Sequence, residues 1–178
     1  MVVISLAIII PVRYFLIQPF YVKGASMEPN FHDHEYLIID EISYRFNEPQ
    51  RGDIIVFHYP YDTNEFFIKR IIGLPGETVQ IKDGDVYISN QQYPDSFKLV
   101  EDYLDSDLAT HTYNQSPVEL ITDQYYVLGD NRYVSKDSRS FGPVNEDLIV
   151  GRVFFRGWPF NKIQIFEGVD YGAELINQ

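Results

Sequence analysis

The sequence predicts a mostly β domain behind an N-terminal membrane-spanning segment, and three features of its patterning predict it. Short apolar runs of four to seven residues recur from residue 36 onwards, bounded by Gly, Pro, Asp or Asn. A polar stretch between Asp95 and Asp123 interrupts that rhythm. The first seventeen residues, MVVISLAIIIPVRYFLI, are almost wholly apolar.

The anchor comes first along the chain. Crossing about 30 Å of hydrocarbon takes roughly 20 helical residues, and this run approaches that length. Pro11 and Arg13 interrupt it, and Arg13 lies close enough to its end for the guanidinium to reach the interface. Tyr14, Phe15, Phe20 and Tyr21 suit an aromatic belt at a membrane surface. A cleaved secretory peptide carries a basic start and an A-x-A site, neither of which precedes QPFYV, so the segment reads as an uncleaved anchor.

The strand-like runs follow: YLIID (36–40), DIIVFHY (53–59), FFIKRII (66–72), TVQI (78–81) and DVYI (85–88). With 14 Tyr and 13 Phe the composition favours strands. Residues 95–123, rich in Asp, Ser, Thr and Asn, read as an insertion or lid on the core. Strand character resumes in YYVLGD (125–130) and LIVGRVFF (148–155), and the end beyond Phe166 is weakly patterned.

At 178 residues the chain can bury one core with a modest insertion, and 45% hydrophobic with 22% charged residues is globular composition. A net charge of -12 excludes a nucleic-acid footprint, which requires clustered cations. The absence of cysteine excludes disulfides, thiolate catalysis and Cys-based zinc sites.

Three segments carry residues that can do chemistry. In VKGASMEPNF, Gly24 and Ala25 leave little bulk before Ser26, and Pro29 stiffens the exit, so the hydroxyl and nearby N–H groups can face a substrate. In FFIKRII, period-two alternation sets Lys69 on one face with Phe67 and Ile71, and Arg70 on the other with Ile68 and Ile72. A free lysine, with a pKa near 10.4, is neutral in only roughly 1 of 2,500 molecules at pH 7. Burial among apolar neighbours lowers that pKa and would make Lys69 a base. In LGDNRYVSKDSRSFGPV (128–144), hydroxyls and carboxylates can orient an amine, with Arg139 pairing Asp137 or Asp130. Neither the G-x-S-x-G elbow nor an S-x-x-K motif is present.

The blocks FLIQPFYVKGASMEP, RGDIIVF, IKRIIGLPGE and GDNRYVSKDSRSFGPV, in that order, resemble the type I signal peptidases, bacterial leader peptidases with a Ser-Lys dyad. The resemblance implies Ser26 as nucleophile, Lys69 as general base, Ser135 as the amine-orienting serine, and Asp137 and Arg139 as structural partners, with Asp130 in support. It implies an oxyanion hole built from the Ser26 N–H and, in some members, a hydroxyl two residues earlier; here that position is Gly24. Asn30 and Phe31 depart from the family's more usual Thr and Leu, and Tyr133 and Val134 also depart from its pattern.

The resemblance further implies an extended substrate with small side chains at two alternate positions, and pocket walls at Phe20, Val22, Gly24, Met27, Phe31, Val56, Phe67 and Ile68. The implied fold is an antiparallel β-sheet catalytic domain (20–76 and 125–166), with a small inserted β cap subdomain (77–124), an anchor (1–19) and a tail (167–178). The expected activity is membrane-bound cleavage of secretory preproteins after an A-x-A site, through an acyl-enzyme. The partners are signal peptides and the lipid bilayer, with no cofactor, metal or nucleic acid. The place is a bacterial cell membrane, single-pass, with the catalytic domain outside the cytoplasm.

Other readings compete. His32 and His34 in H-D-H could begin a metal hydrolase, but no third patterned histidine lies nearby. A noncatalytic membrane-anchored relative, binding peptides or assisting surface assembly, would not need both Ser26 and Lys69. A self-cleaving repressor needs a DNA-binding module where the anchor stands.

Overall fold

The computed structural model describes residues 18–104 and 115–166; residues 1–17 of the expected anchor helix and the C-terminal tail fall outside them. Among the described residues no helix is long and apolar enough to cross a membrane. The strands, in order, are β1 (Gln18–Tyr21), β2 (Tyr36–Asp40), β3 (Ile54–Tyr59), β4 (Asp62–Gly73), β5 (Thr78–Lys82), β6 (Asp85–Ser89), β7 (Phe97–Lys98), β8 (Val118–Glu119), β9 (Gln124–Leu128), β10 (Val144–Asn145), β11 (Ile149–Trp158) and β12 (Gln164–Ile165). A single helical turn, α1 (Ser138–Phe141), lies between β9 and β10.

These strands form a mostly β, antiparallel architecture of two sheets. The larger runs β1-β2-β11-β3-β4-β9-β10, with β12 on β11, and the smaller runs β7-β6-β5-β8. The runs expected from periodicity all form strands.

The central position of β3 follows from its sequence. Half-buried β2 alternates, with Leu37 and Ile39 inward and Tyr36 exposed. IIVFHY is apolar on both faces, as a strand covered on both sides must be. Ile54 and Val56 join Val22, Met27, Phe31, Leu37, Ile39 and Val153. Ile55, Phe57 and Tyr59 join Ile71, Tyr125, Val127, Phe141 and Val144. A third core fixes the smaller sheet to the larger, packing Val79, Ile81, Val86 and Ile88 against Ile72, Tyr126 and Leu128.

Two details differ from the periodicity. The first strand begins at Gln18, inside the expected anchor range, because residues 18–21 pair in register with Ile39 to Tyr36. An edge strand tolerates Pro19, whose missing N–H breaks no inner ladder. The polar stretch contributes β7 and β8, whose two-residue lengths carry no alternation to detect.

Candidate active site

Ser26 sits on the turn between β1 and β2. Glu28 N–H donates to Ala25 O (3.2 Å) and Phe31 N–H to Met27 O (2.9 Å), closing the turn. Met27 and Phe31 anchor it in the core at 1% and 0% exposure. Gly24 has φ +90°, in the left-handed region, and its N–H donates to Asp33 Oδ1 (2.9 Å). The space around its missing Cβ is open, so backbone conformation, not crowding, favours glycine there. The Gly24 N–H is therefore engaged, while among the described residues the Ser26 N–H has no recorded acceptor.

Lys69 lies on β4 opposite Ile55 of β3 and is 3% exposed. Its Nζ is 2.7 Å from Ser26 Oγ, 2.6 Å from Ile68 O, which it donates to, and 5.3 Å from the Phe67 ring centroid. Burial pushes its pKa down to about 8; the Asp137 and Asp130 carboxylates pull the other way, and the Arg139 charge assists burial. At pH 7 a pKa of about 8 leaves roughly one amine in ten neutral, against about 1 in 2,500 for a free lysine.

The loop after β9 closes the site from a third side. Asp137 is fully buried, caps α1 by accepting from Arg139 N–H, and accepts from Arg139 Nε and Nη2 at 2.7 Å each. It also accepts from Gly129 N–H (3.0 Å). Arg139 thus pairs with Asp137 and not with Asp130. Asp130, also fully buried, accepts from Arg70 Nε (2.9 Å) and Nη2 (2.7 Å) and from Asn30 Nδ2 (2.9 Å).

The loop meets the Ser26 turn directly. Asn131 N–H donates to Ser26 O (3.0 Å). A Cβ on Gly129 would stand 2.4 Å from Ser26 O and 2.2 Å from Ser135 Oγ, so only glycine permits this approach. Gly129→Ala is expected to displace the Ser26 turn, and kcat on a peptidase substrate falls by about 100-fold or more, the penalty of a misplacement near 1 Å. An unchanged kcat would contradict the close approach. Ser135 Oγ is buried beside this junction and has no hydrogen-bond partner among the described residues; in particular it is not bonded to Lys69.

Several contributors lay outside the sequence expectations. The strand alternation sets Arg70 on the face opposite Lys69 and points to no partner for it; Arg70 is 3% exposed and gripped by Asp130. Two adjacent cations in an apolar strand are a signal that a buried acid is needed on at least one face. Glu101 of the insertion pairs with Arg132, whose Nε donates to Gly129 O (3.0 Å), and the Tyr103 ring lies 3.9 Å from the Arg70 guanidinium. Nothing in the local pattern of 95–123 marked these residues.

A family model described as signal peptidase, peptidase S26, matches residues 1–158. The chain belongs to this signal peptidase family. It is 39% identical over 167 residues to a probable signal peptidase I-2 of Synechocystis sp., covering 90% of this chain and 72% of that one. It is 34% identical over 172 residues to signal peptidase IB of Staphylococcus aureus, covering 92% and 89%. A solved signal peptidase I from Enterococcus faecalis V583 is 33% identical and covers 60% of this chain and 97% of its own at TM-score 0.49. The family assignment does not rest on that superposition.

Within this signal peptidase, the apolar residues expected to line pockets divide in two. Val22, Met27, Phe31 and Val56 are buried in one core cluster, where packing against Leu37 and Ile39 accounts for them. Phe31 also lies against Phe166, with ring centroids 4.7 Å apart. Phe20, Phe67 and Ile68 are half-buried. His32 lies 3.5 Å from Glu28 and His34 2.8 Å from Asp33, each with its own carboxylate.

Proposed function

We propose that this signal peptidase cleaves secretory preproteins with Ser26 as nucleophile and Lys69 as general base. The observation that carries the reading is the 2.7 Å separation of Ser26 Oγ from the amine of a buried lysine. Neutral Lys69 Nζ takes the Ser26 proton as Oγ bonds to the scissile carbonyl carbon. The tetrahedral oxyanion receives the free Ser26 N–H, and the resulting ammonium returns the proton to the departing amine. Water, deprotonated by the same amine, then hydrolyses the acyl-enzyme.

Lys69 in its neutral form has two N–H donors and one lone pair. The lone pair faces Ser26 and Ile68 O takes one donor, so the unpartnered Ser135 Oγ is the natural acceptor for the second and would orient the amine. Asp137, Arg139 and Asp130 would act as scaffold. With Gly24 lacking a side-chain hydroxyl, the oxyanion hole would rest on the backbone, and one missing donor costs about 10²–10³ in kcat.

The apolar run 1–17 supports attachment to a lipid bilayer as a single-pass anchor, with the peptidase domain outside the cytoplasm of a bacterial cell. The substrate would lie extended, with small residues at the A-x-A positions near half-buried Phe20, Phe67 and Ile68. The domain division would follow the two sheets, with 77–124 as the cap.

The test is cleavage of a preprotein with an A-x-A site by the full chain in detergent, the cut located by mass. Because a protonated Lys69 cannot act as base, kcat is expected to rise tenfold per pH unit below about pH 8 and level off above it. A profile still climbing above pH 10 would refute the burial argument.

A further inference from the structure

Lys136 stands beside the site and takes no part in the dyad. Its ammonium lies 4.1 Å from the Tyr59 ring centroid and 5.7 Å from that of Phe67, the ring that also carries the Lys69 amine at 5.3 Å. Tyr59 and Phe67 stack at 4.6 Å with 11° between their planes, and Phe141 meets both edge-on. The cation therefore rests on a rigid aromatic shelf one ring away from the base.

The way Lys136 is held leaves it ready for a ligand. The chain carries 26 acidic residues against 14 basic ones. Among the described residues, none of the ion pairs includes Lys136. The acids nearest to it in the loop are engaged, Asp137 by Arg139 and Asp130 by Arg70. A ring face attracts the charge through its quadrupole without consuming the N–H donors, so an exposed ammonium on such a shelf keeps donors for an incoming acceptor.

We infer that Lys136 is a specificity residue that receives an Asp or Glu side chain of the substrate, within the first three residues on the mature side of the cut. This rests on the peptidase reading above. A signal peptide is apolar and then small up to its cleavage site, so a carboxylate has to come from beyond the cut. An extended chain advances about 3.3 Å per residue, and the two amines lie 5.3 and 5.7 Å from the same Phe67 ring centroid, so one to three residues reach from one amine to the other. The pair meets solvent, and its effect is correspondingly modest and salt-sensitive.

The experiment compares preprotein substrates carrying Glu or Gln at the first, second or third mature position, with the full chain in detergent at low salt. For wild type, kcat/KM for Glu over Gln is expected to be about two- to fivefold at one of these positions, falling towards one at about 1 M salt. Lys136→Gln is expected to flatten the ratio, and Lys136→Glu to invert it. Reading a ratio within each enzyme removes any general effect of the substitution on activity or folding. Cleavage that depends on Ser26 but shows a flat wild-type ratio at all three positions, or a ratio unchanged in both variants, would overturn the role of Lys136 alone. Absence of cleavage by wild type, or its survival in Ser26→Ala, would overturn the peptidase reading and this inference with it.

Discussion

Ser26→Ala is expected to lower preprotein cleavage by more than about 10⁴-fold while leaving the fold unchanged, because the nucleophile of a coupled pair has no substitute. Ser26 is half-buried on a turn held by Met27 and Phe31, so losing one hydroxyl leaves the packing intact. Lys69→Met is expected to be equally inactive and to differ in stability. Holding the ammonium at a pKa of about 8 against 10.5 in the open costs about 3 kcal/mol below pH 8. The unfolded chain binds the extra proton between about pH 8 and pH 10.5, so this penalty fades as pH rises through that window. Methionine removes the penalty but deprives Ile68 O and Ser26 Oγ of a partner. The net expectation is a Tm a few degrees higher at pH 7 and a flatter pH dependence above pH 8. Calorimetry across pH 7 to 10 measures both, and a lower Tm for Lys69→Met would sink the desolvation account.

The second large effect concerns Asp130. Removing its carboxylate takes from the Arg70 guanidinium, 4% exposed, the anion that accepts from its Nε and Nη2 inside the protein. Breaking such a buried pair from one side costs about 3–5 kcal/mol, which lowers Tm by about 6–20 °C in a chain of this size. Asp130→Ala also removes one of the two acceptors of Asn30 Nδ2, on the stretch that follows Ser26, leaving Tyr103 O, so activity is expected to fall at temperatures where the variant is still folded. The double variant Arg70→Met with Asp130→Leu is expected to recover most of the stability, since it leaves neither charge of this pair buried without the other. Denaturant titration decides it: a loss below about 1 kcal/mol for Asp130→Ala, or no recovery in the double variant, would show that the pair is not the strut described.

How much of this was legible in the sequence depended on the range of each interaction. The alternation in FFIKRII marked Lys69 for an apolar environment, and the chain buries it to 3% exposure. Asp137, two residues from Arg139, was legible as one of two candidate partners for it, since that contact is local. Arg70 and Asp130 are 60 positions apart, and the pattern offered both Asp130 and Asp137 to Arg139. Choosing between them requires knowing that β4 and β9 are neighbours. The pocket assignments met a different limit. Val22, Met27 and Phe31 are apolar and near Ser26 in sequence, Val56 is apolar within a strand, and those descriptions fit a pocket wall and a core residue equally.

By itself the sequence determined a mostly β chain, the longer strands of its sheets, the membership of the family, and the candidate pair Ser26 and Lys69. Those conclusions rest on local periodicity, turn residues and the order of motifs, all of which are written along the chain. The tertiary structure decided which partner each buried charge receives, that Gly129 must have no side chain where it meets Ser26, and that Lys136 lies over the Tyr59 and Phe67 rings near Lys69. Such facts depend on segments brought together across tens of residues, where burial makes every unpaired charge costly and every missing atom count.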